Sequence, residues 1–128
     1  MRTTTFIYAT TLTVTVLLPA MLFARQTPAP KPEPKVIEVV ARKFEFEPSH
    51  IDVDEGDHVR LVVRSGDGVH GIAIKKFRVN KLIPRGGKPV TIDFVASAAG
   101  TFPIVCSELC GDGHEDMTGT LVVRAKSK

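Results

Sequence analysis

Hydrophobic side chains recur at every second position from Val36 onward, and this period indicates β-strands instead of helices. Short turns rich in glycine, proline and aspartate separate the runs, as is usual between strands. The alternating positions are Ile37, Val39 and Ala41; Ile51 and Val53; Val59, Leu61 and Val63; His70, Ile72 and Ile74; Val90, Ile92 and Phe94; Phe102, Ile104 and Cys106; Leu121 and Val123. We therefore expect an all-β domain.

Two stretches depart from this regular alternation. Phe44 and Phe46 resume it one step out of phase with Ala41, which predicts a β-bulge at Arg42 and Lys43. Residues 75–89 carry many charges without a clear period, which indicates an irregular loop. About seven short strands in about 90 residues are typical of a Greek-key β-sandwich.

The N-terminal part of the chain differs from the rest. Residues 3–24 carry no charge, follow Arg2 and end before Arg25, which predicts either an export signal or a membrane anchor. Residues 25–35 are rich in proline and indicate an extended spacer. We expect a signal or anchor over residues 1–24, a linker over 25–35 and one domain over 36–128, outside the cytoplasm in either case.

The charge balance gives no indication of nucleic-acid binding. The chain carries a formal charge of +3, and residues 25–128 hold 16 basic against 14 acidic side chains, or +2. Two local clusters stand out. Asp112, Glu115 and Asp116 surround His114, and they are either solvated loop charges or a docking patch for a basic partner. Six basic residues between 75 and 88 are either a solvated surface or a contact for an anionic partner or membrane.

All the sulfur beyond residue 24 lies in one segment, Cys106-Ser-Glu-Leu-Cys110-Gly-Asp-Gly-His114-Glu-Asp-Met117. A further histidine, His70, lies upstream on an expected strand. Thiolate and thioether ligands select soft metal centres, and imidazole suits copper in both oxidation states. The residues therefore predict a soft-metal site, with copper as the metal that fits best.

The spacing bears on the number of ions. Donors at 106, 110, 114 and 117 on one loop surround a single ion poorly, whereas two ions bridged by two thiolates would use every donor. Three alternatives stay open at this point. They are a plain disulfide, a Cys2His2 zinc site and a mononuclear blue-copper centre.

The loop, together with Gly111 and the upstream Val69-His70-Gly71, resembles the CuA site of cytochrome c oxidase subunit II and of nitrous oxide reductase over about residues 36–124. The resemblance implies a cupredoxin-like fold holding two copper ions. It implies that Cys106 and Cys110 bridge the ions and that His70 and His114 each cap one. It also implies that Met117 and the Glu108 carbonyl are weak ligands, and that the Glu108 side chain contributes to a magnesium site.

The same resemblance implies a function. It indicates an electron-transfer subunit of a cytochrome c oxidase, of the short form with one N-terminal anchor, which performs no catalysis by itself. We expect it at the outer face of the cytoplasmic membrane or in the periplasm. A cytochrome c or a cupredoxin would be the electron donor, and the oxidase catalytic subunit would be a further partner. The alternatives are a free periplasmic copper electron carrier and a copper-delivery protein.

Overall fold

Nine strands form two sheets in residues 28–127, the part of the chain that the computed structural model describes. The strands are β1 (Lys35–Arg42), β2 (Glu45–Glu47), β3 (His50–Asp54), β4 (His58–Ser65), β5 (His70–Ile74), β6 (Val79–Ile83), β7 (Val90–Val95), β8 (Gly100–Val105) and β9 (Thr118–Arg124). Two single-turn 3-10 helices, Lys75–Phe77 and His114–Asp116, interrupt them.

One sheet has four strands in the order β2-β1-β4-β7, and the other has five in the order β3-β9-β8-β5-β6. The pairs β1/β4 and β3/β9 are parallel, and the remaining pairs are antiparallel. The predicted all-β Greek-key sandwich is therefore confirmed.

The core lies between the sheets and follows the alternation of the sequence. In β4, Val59, Leu61 and Val63 are each at most 1% exposed, while the residues between them face outward. Full burial of one such side chain stabilises a fold by roughly 1.5–3 kcal/mol. In β4 the period-two pattern of the sequence therefore identifies the face that is packed.

The predicted bulge at Arg42 and Lys43 is wrong. β1 ends at Arg42, the chain turns at Lys43 and Phe44, and β2 returns as an antiparallel partner with Arg42 opposite Glu45. A bulge and a tight turn both shift the phase of the apolar positions by one step, so the alternation could not separate them. The turn leaves Phe44 37% exposed.

The prediction of an irregular loop over residues 75–89 is also wrong in part. The segment contains a 3-10 turn and the edge strand β6, which pairs with β5. Only Val79 and Ile83 of β6 are buried, and the three residues between them are exposed. An edge strand with this pattern shows no period of two, and its charges resemble those of a loop.

The sheet topology brings His70 to the loop that carries the sulfur ligands. β8 and β9 are antiparallel neighbours, so residues 106–117 connect them at one end of the sandwich. β5 pairs with β8 through Ala73 and Val105 and begins three residues earlier, at His70. His70 and Cys106 therefore lie at the same end of the same sheet.

The predicted signal or anchor, residues 1–24, lies outside the described residues. Residues 28–34 of the predicted linker have no regular secondary structure and are mostly exposed. Within the described part of the chain, no helix has the length and apolar character needed to cross a bilayer.

Candidate metal centre

The two cysteines lie side by side in the β8–β9 loop. Their Sγ atoms are 3.7 Å apart, and the two residues are only 6% and 9% exposed. Since a disulfide bond is about 2.05 Å long, these are free thiols. Two soft donors thus share one buried position.

The loop folds back so that His114 and Met117 approach the second sulfur. Cys110 Sγ lies 3.8 Å from His114 Nδ1 and 3.7 Å from Met117 Sδ. A short 3-10 turn creates this arrangement, because the Met117 N–H donates to the His114 carbonyl at 3.2 Å. The Cys106 N–H donates to the Met117 carbonyl, also at 3.2 Å, and ties the two ends of the loop together.

The carbonyl of Glu108 contacts the first of the two cysteines. It accepts a hydrogen bond from the Cys106 thiol at 3.2 Å. The Glu108 side chain is exposed. The backbone oxygen that the family resemblance implied as a weak ligand therefore lies beside the first cysteine, whereas the Glu108 side chain is at the surface.

His70 completes the cluster from β5. One ligand atom from each of His70, Cys106 and Cys110 lies within 4.8 Å of the other two. The imidazole is fully buried, and Nδ1 has no hydrogen-bond partner among the described residues. Because Nε2 lies 2.5 Å from Asp67 Oδ1, Nδ1 is the nitrogen available to a metal.

Asp67 holds His70 in this orientation. Its carboxylate also accepts hydrogen bonds from the N–H of Lys43 at 2.8 Å and of Gly68 at 2.5 Å. Burial by itself disfavours the charged carboxylate. The hydrogen bonds from His70, Lys43 and Gly68 outweigh that effect, and the pKa of Asp67 falls from 3.8 to about 2. A charged acceptor at Nε2 fixes the tautomer that leaves Nδ1 free of hydrogen.

Gly71 allows the loop to pack against β5. A Cβ at this position would collide with Ser107 Oγ and would stand 2.8 Å from the Glu108 nitrogen. The Gly71 N–H lies 3.5 Å from Cys106 Sγ and donates to it. The absence of a side chain therefore permits the contact between the histidine strand and the sulfur loop.

The surroundings of Cys110 favour its neutral thiol in the absence of a cation. Burial raises the pKa of Cys110, and the neighbouring Cys106 raises it further. A bound metal ion would reverse this preference, because the thiolate is the form that binds metal and the proton would be released on binding.

These donors fit a soft metal. At a metal–sulfur bond length of about 2.3 Å, one ion can contact two sulfurs separated by 3.7 Å. The buried, unpaired Nδ1 of His70 is a polar atom whose burial costs free energy unless it gains a partner. Thiolate, imidazole and thioether together are the donor set that favours copper.

Comparison with known proteins identifies the family. The sequence profile of the cupredoxin-like domain matches residues 14–123. Cytochrome c oxidase subunit 2 of Thermus thermophilus is 30% identical over 94 residues, which cover 73% of this chain and 68% of that protein. The chain belongs to the cytochrome c oxidase subunit 2 family. Its cupredoxin-like domain is thereby confirmed.

Solved structures share this fold. The periplasmic domain of subunit II of the cytochrome oxidase of Bradyrhizobium japonicum has the same fold, with a TM-score of 0.66 at 20% identity. The match covers 74% of this chain and 88% of that one. A chain of a heme-copper terminal oxidase dimer gives a TM-score of 0.63 at 28% identity over 70% of this chain and 65% of that one. Among the sequence relatives, a second cytochrome c oxidase subunit 2 of Thermus thermophilus is also 30% identical over 94 residues, and this chain covers 55% of its length.

The fold of the present chain brings the predicted ligand positions together. His114, Met117 and the Glu108 carbonyl lie around the sulfur pair of Cys106 and Cys110, and His70 approaches from β5. Their roles as ligands remain predictions.

Three features of the site were not anticipated from the sequence. They are the hydrogen bond from His70 to Asp67, the close approach at Gly71, and the contact of Phe44 with the β8–β9 loop. Asp67 stands in a Ser-Gly-Asp-Gly turn, where an aspartate already has a structural role. Its spacing of three residues before a strand histidine was the available signal.

Proposed function

We propose that this chain is the electron-transfer domain of a cytochrome c oxidase subunit II and that it holds a dinuclear copper centre. In this proposal Cys106 and Cys110 bridge the two ions, and His70 and His114 each cap one. Met117 and the Glu108 carbonyl are the weak ligands. The observation that carries the proposal is the convergence of these donors around one buried pair of sulfurs 3.7 Å apart.

Copper at this position would supply a one-electron Cu(I)/Cu(II) couple, and the protein supplies the fixed geometry of the ligands. The imidazole of His70 is fully buried and held by Asp67, and Met117 is fully buried. The ends of the loop are joined by the Cys106–Met117 backbone hydrogen bond. Ligands that cannot relax keep nearly the same arrangement in both redox states, which favours rapid electron exchange over bond chemistry.

The surface of the β8–β9 loop supports the proposal that the electron donor is a basic protein, either a cytochrome c or a cupredoxin. Asp112, Glu115 and Asp116 are exposed around His114, and Leu109 is 84% exposed. An apolar contact rimmed by charge is typical of transient protein interfaces, in which the charges accelerate association. The electron would then pass to the oxidase catalytic subunit at the outer face of the membrane.

Copper reconstitution of the full chain tests this proposal. We expect two copper ions per chain, a purple oxidised form, and electron spin resonance hyperfine structure from two equivalent nuclei. A single copper with hyperfine structure from one nucleus would contradict the dinuclear centre and favour a mononuclear site. Retention of zinc in the presence of excess copper would contradict the electron-transfer function altogether.

A further inference from the structure

The aromatic ring of Phe44 lies against part of the β8–β9 loop, which we call the metal loop. The part that it contacts runs from Cys110 to His114 and is called the Cys110–His114 arm below. A Cβ added at Gly113 would stand 2.6 Å from Phe44 Cγ and 2.8 Å from Cε2. A Cβ added at Gly111 would stand 3.2 Å from both Cε1 and Cζ of the same ring. The ring therefore packs on the bare backbone on both sides of Asp112.

The turn that carries Phe44 also contacts the histidine side of the site. The N–H of Lys43 donates to Asp67 Oδ2 at 2.8 Å, and Asp67 Oδ1 holds His70. The Lys43 side chain runs between the two sides, with Cε 4.0 Å from the Cβ position of Gly68 and 3.9 Å from that of Gly111. One two-residue turn thus contacts both segments that would bind metal.

Few other backbone contacts fix the position of the Cys110–His114 arm. The backbone hydrogen bonds found for it in the described residues are local, from His114 to Gly111, from Asp116 to Gly113 and from Met117 to His114. Gly111 has a φ of +139°, which glycine adopts more readily than other residues. Two glycines in four residues make this segment entropically costly to order. An external contact is therefore needed to fix it.

We infer that the Lys43–Phe44 turn is a brace that sets the position of the Cys110–His114 arm relative to His70, and that Phe44 is its positioning residue. The partial exposure of Phe44, 37%, sets it apart from Phe46, which is buried in the core at 2%. A large aromatic ring left half exposed on a turn contributes little to the core. Its contact with the loop gives it a function. The inference rests on the proposed copper site.

Three variants of the full chain test the brace. Phe44→Ala removes the ring, Phe44→Tyr retains it, and Phe102→Ala removes a ring that packs on Phe77 near the start of β8, whereas the metal-binding loop begins at the end of that strand. We expect Phe44→Ala to accelerate copper release to a chelator by roughly tenfold or more, the scale for residues that orient metal ligands. We expect its reduction potential to shift, whereas Phe44→Tyr and Phe102→Ala should release copper like the parent chain.

A double-mutant cycle isolates the contact itself. Gly113 has a φ of −96°, which alanine can also adopt. The three atoms nearest to an added methyl group all belong to Phe44, so the obstacle to alanine here is the Phe44 ring. Gly113→Ala should therefore accelerate copper release in the parent chain by roughly tenfold. In the Phe44→Ala background the same change should have an effect of no more than about twofold, as for uncoupled sites. Equal effects in both backgrounds would overturn the inference.

A measurement on the copper-free chain separates this inference from the proposed function. Phe44→Ala should increase amide hydrogen exchange at residues 111–114 without metal, and Phe102→Ala should not. If exchange rises as expected but the chain binds no copper, the brace stands and the copper function fails. If two coppers bind while exchange and release are unchanged by Phe44→Ala, the copper function stands and the brace is wrong.

Discussion

Asp67 and His70 are joined by a 2.5 Å hydrogen bond between the partly exposed carboxylate and the fully buried imidazole. The carboxylate is itself fixed by two backbone N–H groups. Partners of this kind orient metal-binding histidines and raise their basicity. The position of His70 in the proposed copper site therefore depends on a residue that would not contact the metal.

Replacing Asp67 by alanine is expected to weaken copper binding by roughly 10–100-fold, because His70 loses the partner that fixes its tautomer and ring orientation. Asp67→Asn should have a smaller effect, since the amide oxygen still accepts from Nε2–H. Competition with a copper chelator of known affinity gives the measurement. Asp93→Ala is the matched control, because its carboxylate pairs with Arg60 on an exposed surface. Equal affinities for Asp67→Ala and Asp93→Ala would refute the orienting role.

The two cysteines and the methionine should differ sharply on substitution. Cys106→Ser or Cys110→Ser should abolish the dinuclear centre, because each thiolate is proposed to bridge both ions. Met117→Leu should retain copper with a shifted reduction potential, since a weak axial ligand tunes potential more than it holds metal. Copper content and electron spin resonance distinguish the outcomes. Loss of all metal in Met117→Leu, with both ions kept in Cys110→Ser, would reverse the assigned roles.

Gly71→Ala should displace the metal loop from β5. The added methyl group would meet Ser107 Oγ and the Glu108 backbone, and overpacking of this kind costs about 1–3 kcal/mol. We expect a lower midpoint of chemical denaturation together with reduced copper content.

Gly68→Ala is the control for this prediction, because the nearest atom to its added Cβ would be Lys43 Cε at 4.0 Å. Unchanged stability and copper content in Gly71→Ala would show that the loop can pack against β5 without this glycine.

The strands could be predicted from the sequence where one face is packed and the other is solvated. Val59, Leu61 and Val63 are buried and alternate with more exposed residues, so their spacing of two identifies a strand with one packed face. β6 could not be predicted, because this edge strand exposes three residues in a row and its backbone partners lie on β5. Pairing of that kind leaves no periodic trace in the strand itself.

The sulfur loop could be predicted because its donors are close in sequence and chemically distinctive. The supporting residues could not. Asp67 has the composition of an ordinary turn, and the contact of Phe44 with Gly113 joins positions 69 residues apart. Such contacts depend on how the β1–β2 turn meets the β8–β9 loop. The alternation of apolar and polar residues does not indicate that these two segments are in contact.

The acidic residues of the metal loop should control the rate of association with a basic electron donor. Replacing Asp112, Glu115 and Asp116 by their amides removes three exposed charges next to His114. Because complementary charge raises association rates by 10-fold or more, we expect the rate constant for reduction by a basic cytochrome c to fall by roughly tenfold at low salt. Stopped-flow mixing of the reduced donor with the copper-loaded chain measures it.

A matched variant removes the same number of charges from exposed strand positions, Glu38→Gln, Asp52→Asn and Asp93→Asn. It separates a local docking effect from the change in net charge, and it should reduce the rate constant much less. The difference between the two variants should shrink as ionic strength rises above about 0.15 M, where the screening length is about 8 Å. Equal rate constants for the two variants at every salt concentration would mean that the loop carboxylates are solvated charges with no part in docking.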